Sequence, residues 1–131
     1  MPIAPNAVKE MAHAYTAAWN SKSPEAVASF YAENGQIIIN RGEPWIGRSG
    51  IQEMAAGFYN DVPDLSLTCN DIRCAGAHAV YVWTFTGHHA ETGRQLIVRG
   101  WEEWELGDDL KVKASLGWFD AEEYARQVEG R

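Results

Sequence analysis

A chain of 131 residues with a formal net charge of −7 and 46% hydrophobic residues has the size and composition of a single folded domain, taken as 1–131. The acidic balance argues against nucleic acid and against anionic membranes as partners, because both need clustered Lys and Arg. No run approaches the roughly 20 apolar residues of a membrane helix. MPIAPNAVKEM has no basic region ahead of an apolar stretch, so a cytoplasmic protein with Cys69 and Cys74 reduced is expected.

Residues 6–20 read as a helix whose stripe is Val8, Met11, Ala12, Tyr15, Ala18 and Trp19. Ser23-Pro24 supplies a capping side chain and a proline at the first helical position, opening a helix over 24–32 that Asn34-Gly35 stops. "QIIIN" (36–40) is short and β-branched and reads as a strand, and "RGEPWIG" reads as a loop. Ser49 is expected to cap a third helix that buries Ile51, Met54, Ala55 and Phe58, ending where Pro63 interrupts.

From Leu65 the period changes to two, which gives strands at 65–75, 78–90, 94–106 and 110–119. The turns between them are short, which implies an antiparallel meander. In the last strand Leu110, Val112, Ala114, Leu116 and Trp118 alternate with Lys111, Lys113 and Ser115, as in a sheet with one wet face. Asp120 is placed to cap a short final helix. The plan is α+β, a cone-shaped fold in which a curved, mainly antiparallel sheet packs against three N-terminal helices, with a short C-terminal helix. Such a sheet closed by helices leaves a cavity suited to an apolar small molecule.

"QLIVRGWEEWEL" (95–106) carries the sharpest site signal. One face holds Leu96, Val98, Gly100, Glu102, Trp104 and Leu106, apolar apart from a single carboxylate. A glutamate is almost never buried without a partner, so an inward Glu102 would have a raised pKa and could act as a neutral donor or general acid. A bulge at Gly100 would reverse this and turn Trp101 and Glu103 inward. His88 and His89 face opposite ways, so they do not form a metal pair, and no metal ligand set is expected. By parity with Trp83 and Phe85, His89 points inward, where it could exchange a proton with Glu102; the alternative is a rim histidine satisfied by water. Asn40 either bonds a ligand carbonyl or caps its loop. Trp19, Phe58, Trp83, Phe85, Trp104 and Trp118 are candidate cavity walls as well as core. Trp101 falls on the opposite, outer face, which points to a homodimer packed sheet to sheet.

The order of elements resembles the nuclear transport factor 2-like superfamily, which includes ketosteroid isomerases, scytalone dehydratase, limonene epoxide hydrolase and the SnoaL-like polyketide cyclases. The resemblance is carried by "AYTAAWNSKSPEAVASFYAENGQIII", "VWTFTGHH", "TGRQLIVRGWEEWELGDDLKV" and "GWFDAEEYARQV". It implies that Tyr15 stands where the isomerases keep an oxyanion-hole tyrosine, and Glu102 where they keep a neutral acid. At the place of the isomerase base stand Ile39 and Asn40, which abstract no proton. At the place of the epoxide-hydrolase aspartate stands Gly117, and the acidic and histidine positions of the cyclases read "KASLGW". The function this implies is a cofactor-independent small-molecule enzyme doing acid–base chemistry on an apolar, carbonyl-containing ligand, with Tyr15, Glu102 and His89 as catalytic residues. The alternative is a non-catalytic binding or scaffold module of the same fold.

Overall fold

The computed structural model describes residues 3–131; Met1 and Pro2 lie outside the described residues. Helix α1 (Pro5–Asn20) buries the expected stripe together with Thr16. Asn20 fastens its end: the side-chain amide donates to Leu67 O at 2.9 Å and accepts from Leu67 N at 2.6 Å, which holds the helix against the backbone at Leu67. Ser23 caps α2 (Pro24–Ala28) by accepting from Ala26 N, as its sequence implies.

That helix is shorter than 24–32, because the backbone of Phe30 and Tyr31 is taken up by the sheet. Val112 N donates to Phe30 O at 2.9 Å, and strand β1 (Tyr31–Ile39) runs parallel to the strand Val112–Phe119. Asn34-Gly35 is therefore a bulge within β1 rather than a helix stop. A Cβ on Gly35 would lie 2.6 Å from Val112 O, so only glycine allows that approach.

"RGEPWIG" contains a two-residue strand, β2 (Trp45–Ile46), paired antiparallel with β1. Helix α3 (Gly47–Asp61) begins two residues ahead of Ser49, and no side chain caps it. Then follow β3 (Ser66–Ala75), β4 (His78–His88), β5 (Gln95–Leu106), β6 (Val112–Phe119) and α4 (Ala121–Glu129), the last capped by Asp120 through Glu123 N. The six strands form one curved, mostly antiparallel sheet in the order β2-β1-β6-β5-β4-β3. The helices pack against it around a core that includes Tyr15, Tyr31, Tyr81 and Trp104.

β5 keeps strict alternation, with Leu96, Val98, Gly100, Glu102, Trp104 and Leu106 all buried, so no bulge at Gly100 reverses it. β6 departs from its expected alternation. Its register against β5 shifts between Glu105 and Leu106, so that Leu106 pairs with Val112 and Glu105 with Ala114. One residue, Lys113, is looped out of the ladder, and every side chain beyond it changes face. Ser115 and Gly117 are buried, while Leu116 is 40% exposed. Cys69 and Cys74 are free thiols. No helix among the described residues is long and apolar enough to cross a membrane.

Candidate functional site

Glu102 is 6% exposed, and β5 turns it into the core beside Trp104. Four side chains from four elements donate to its carboxyl. Trp104 Nε1 and Ser115 Oγ each reach Oε1 at 2.9 Å, and the Tyr31 hydroxyl reaches Oε1 at 3.1 Å. The Tyr15 hydroxyl lies 3.1 Å from Oε2 and 3.3 Å from Oε1, and it stands 3.1 Å from the Tyr31 hydroxyl.

This geometry serves both protonation states. Ionised, the carboxylate accepts four hydrogen bonds. Protonated on Oε2, it closes a ring in which Oε2 donates to Tyr15, Tyr15 to Tyr31, and Tyr31 to Oε1. Burial pushes the Glu102 pKa upward. The donors Trp104, Ser115, Tyr15 and Tyr31 oppose that shift, and burial prevails, since none of these partners carries a positive charge. The Tyr15 and Tyr31 phenols are pushed well above their ordinary range by burial and by Glu102 beside them, so both remain protonated donors.

A cavity of about 50 Å³ adjoins the carboxyl. At roughly 10–15 Å³ per water-sized body, it has room for about four such bodies. Glu102 is the one ionisable residue in its lining, which is otherwise aliphatic or aromatic apart from Gly117. Oε1 is saturated by protein donors. Oε2 has a single partner and so keeps capacity for a ligand.

Of the residues expected to build this site, Trp19, Phe58, Trp83, Phe85, Trp118 and Glu102 line the cavity. Tyr15 does not line it; it stands behind the carboxyl and holds it. Trp104 is likewise not in the lining, since its indole donates to Glu102 and stacks on Tyr81 with ring centroids 4.9 Å apart. Trp118 belongs to the wall, but its ring pairs with that of Trp101 on the outer face, 6.5 Å between centroids, because of the register shift in β6. The Asn40 side-chain oxygen accepts from Phe119 N at 3.0 Å, which ties the end of β1 to the end of β6.

His89 is not brought to Glu102. It lies just past the end of β4, half-buried against Tyr124 of α4. Glu102 is paired with Tyr81, eight residues back along that strand, which is roughly 26 Å at ~3.3 Å per residue. An acid–base pair of the two is therefore excluded, although the parity that turned His89 toward the inner face was sound. Sequence reasoning missed two residues of the cluster. Ser115 was placed on the wet face by the alternation of β6, and Tyr31 fell within the helix expected over 24–32.

The site is thus a small apolar cavity with one acid at its wall, under a curved sheet closed by helices. The SnoaL-like domain family matches residues 12–114, and the chain belongs to that family. No curated protein matches it. Among solved structures, a SnoaL-like polyketide cyclase described from Jannaschia sp. CCS1 is similar over 100% of this chain and 99% of its own, at 12% identity and a TM-score of 0.86. TsrD from Streptomyces laurentii is similar over 98% and 99%, at 20% identity and a TM-score of 0.85. A ketosteroid isomerase-like protein from Catenulispora acidiphila, crystallised with trimethylamine, is similar over 92% of each chain, at 18% identity and a TM-score of 0.84. At these identities the likeness concerns the fold.

Proposed function

We propose that this protein acts on an apolar, carbonyl-containing small molecule by cofactor-independent acid catalysis, as in isomerisation, cyclisation or dehydration, with Glu102 as the acid. The observation that carries this reading is a buried carboxyl, without a cationic partner, at the wall of an otherwise apolar cavity. A ligand oxygen entering the cavity meets Oε2. The Oε2 proton turns from Tyr15 to the ligand, and Tyr15 donates back to Oε2. A neutral acid in dry surroundings polarises a carbonyl far better than it would in water. Tyr15, Tyr31, Trp104 and Ser115 fix the carboxyl and so act as positioning residues. The test is deuterium exchange at the α-carbons of cyclopentanone, followed by NMR. With Glu102 protonating the carbonyl oxygen and solvent water taking up the α-proton, wild type accelerates it, and Glu102→Leu, which has no proton to share, does not. Equal rates would remove the acid-catalysis reading.

A second reading is a binding module of the same fold without turnover. It is favoured by the absence of any second titratable side chain in the cavity lining. The trimethylamine complex of the Catenulispora protein supports small-molecule binding by this fold under either reading. Saturable binding of cyclopentanone with no gain in exchange rate would select it. Either reading goes with a homodimer formed through the outer sheet face, where Ile97 is 49% and Trp101 43% exposed. Sedimentation of wild type against Trp101→Lys tests this, with a dimer expected only for wild type.

A further inference from the structure

Thr16 lies in the buried stripe of α1 and is 9% exposed. A β-branched hydroxyl residue is a poorer choice there than alanine, both for the helix and for its apolar surroundings. Its side chain donates to Ala12 O, one turn back, at 2.9 Å, and that uses its only proton. What remains is an acceptor. The hydroxyl of Tyr81, a fully buried residue of β4, is hydrogen-bonded to it, and Tyr81 is therefore the donor.

Tyr81 stands among the groups around Glu102 without bonding the carboxyl itself. It is the cross-strand partner of Glu102 in the ladder between β4 and β5. Its ring stacks on Trp104, with centroids 4.9 Å apart, and meets the Tyr15 ring edge-on at 5.4 Å. Trp104 and Tyr15 are two of the four donors to Glu102. Thr16 follows Tyr15 in the chain, so two successive residues of α1 reach across to the sheet. Tyr15 bonds Glu102 on β5, and Thr16 bonds Tyr81 on the neighbouring strand. Two adjacent pins of this kind fix both the height of the helix over the sheet and its rotation.

We propose that Tyr81 and Thr16 are positioning residues of the site: their hydrogen bond clamps α1 to β4 and so sets the Tyr15 hydroxyl on Oε2 of Glu102. Of the four bonds to the carboxyl, that from Tyr15 most needs such support. Trp104 and Ser115 stand on β5 and β6, in the same sheet as Glu102, whereas Tyr15 comes from a helix laid over it. Its bond is the only one to Oε2, and at 3.1 Å it is longer than the 2.9 Å bonds of Trp104 and Ser115. A shift of α1 by about 0.5 Å would take it out of hydrogen-bonding range. The consequence for catalysis rests on the reading of Glu102 as the acid: the clamp holds the group that tunes the acid's strength. The positioning itself rests on the hydrogen bonds alone.

The titratable groups facing Glu102 are the phenols of Tyr15 on α1, Tyr31 on β1 and Tyr81 on β4, and none of the groups bonded to it is charged. The titration of the carboxyl, followed by ¹³C NMR, therefore reports this geometry. The test pairs Thr16→Val with Tyr81→Phe, which removes both partners of the clamp, leaves no buried hydroxyl unpaired and keeps an aromatic ring on Trp104. With Tyr15 drawn off Oε2 the anion loses a donor, so the midpoint moves upward by about 0.5, a fraction of the effect of one hydrogen bond to a charged group. Tyr81→Phe alone moves it the same way, and Thr16→Ser, which keeps the acceptor, titrates as wild type does. In a Tyr15→Phe background, removing the clamp adds nothing, because it acts through Tyr15. A doubly substituted protein that loses stability yet titrates at or below the wild-type midpoint overturns the clamp, and so does a shift that persists in full in the Tyr15→Phe background. A wild-type Glu102 that titrates in the ordinary glutamate range removes the acid reading instead, and the same comparison of variants still decides the clamp.

Discussion

Ser115 Oγ donates to Glu102 Oε1 at 2.9 Å, and it can do so only because β6 loops out Lys113. Without that slip the serine would face solvent and Leu116 would face the carboxyl. Ser115→Ala removes one of the donors that hold the Glu102 pKa down, so that pKa rises further above the ordinary glutamate range. Loss of a hydrogen bond to a partly charged group costs about 1–2 kcal/mol. Urea denaturation with an unchanged m-value, together with a carboxyl titration, checks both parts.

Glu102→Gln and Glu102→Leu separate the hydrogen-bonding role of the side chain from its acidity. A glutamine keeps an acceptor for Trp104, Ser115 and Tyr31 and places an N–H where Oε2 faces Tyr15. It therefore imitates the neutral acid, and its stability should lie within about 1 kcal/mol of wild type near neutral pH. A leucine leaves several buried donors unpaired and should cost on the order of 3 kcal/mol. Thermal or urea unfolding distinguishes the two, and equal stability of both variants would mean that the four hydrogen bonds contribute nothing.

The pH dependence has a definite sign. Burial raises the folded-state pKa of Glu102 above the ordinary value of about 4.5 that it recovers on unfolding, so the folded state binds the proton more tightly. The stabilisation is complete below that value and is lost as pH rises through the folded-state pKa. Over that window, stability falls in wild type relative to Glu102→Gln, which has no proton to lose. Parallel curves for the two proteins would place Glu102 in water.

Gly100 sits on β5 two residues before the acid, where a Cβ would lie 2.3 Å from Trp118 O and 2.5 Å from the Trp83 ring. A backbone carbonyl held in a ladder cannot retreat as a flexible side chain can. Gly100→Ala should therefore destabilise by about 3 kcal/mol, the upper end of overpacking costs, and push Trp83 into the cavity. A lowered urea midpoint and weaker binding of cyclopentanone are the expected results.

Periodicity made most of this fold legible. The stripe of α1 and the uninterrupted alternation of β5 located Tyr15 and Glu102 on facing inner surfaces, because both elements are regular over their whole length. What could not be read was set by tertiary pairing. The parallel partnership of β1 with β6 ends α2 early and brings Tyr31 into the cluster, and nothing in "ASFYAENG" announces a strand lying alongside residues 112–117. The bulge at Lys113 was invisible because apolar and polar residues of β6 alternate plausibly in either register, so Ser115 and Leu116 were each assigned to the wrong face. His89 failed for a different reason: parity fixes the face of a sheet but not the distance along it.

The central claim is that Glu102 is a neutral acid at the wall of the cavity. Its most direct test is the ¹³C side-chain carboxyl shift of Glu102, assigned with Glu102→Gln and followed through a pH titration. The account predicts that this carboxyl stays protonated through the ordinary glutamate range and titrates only at higher pH. A Glu102 carboxyl that titrates within that ordinary range would contradict it.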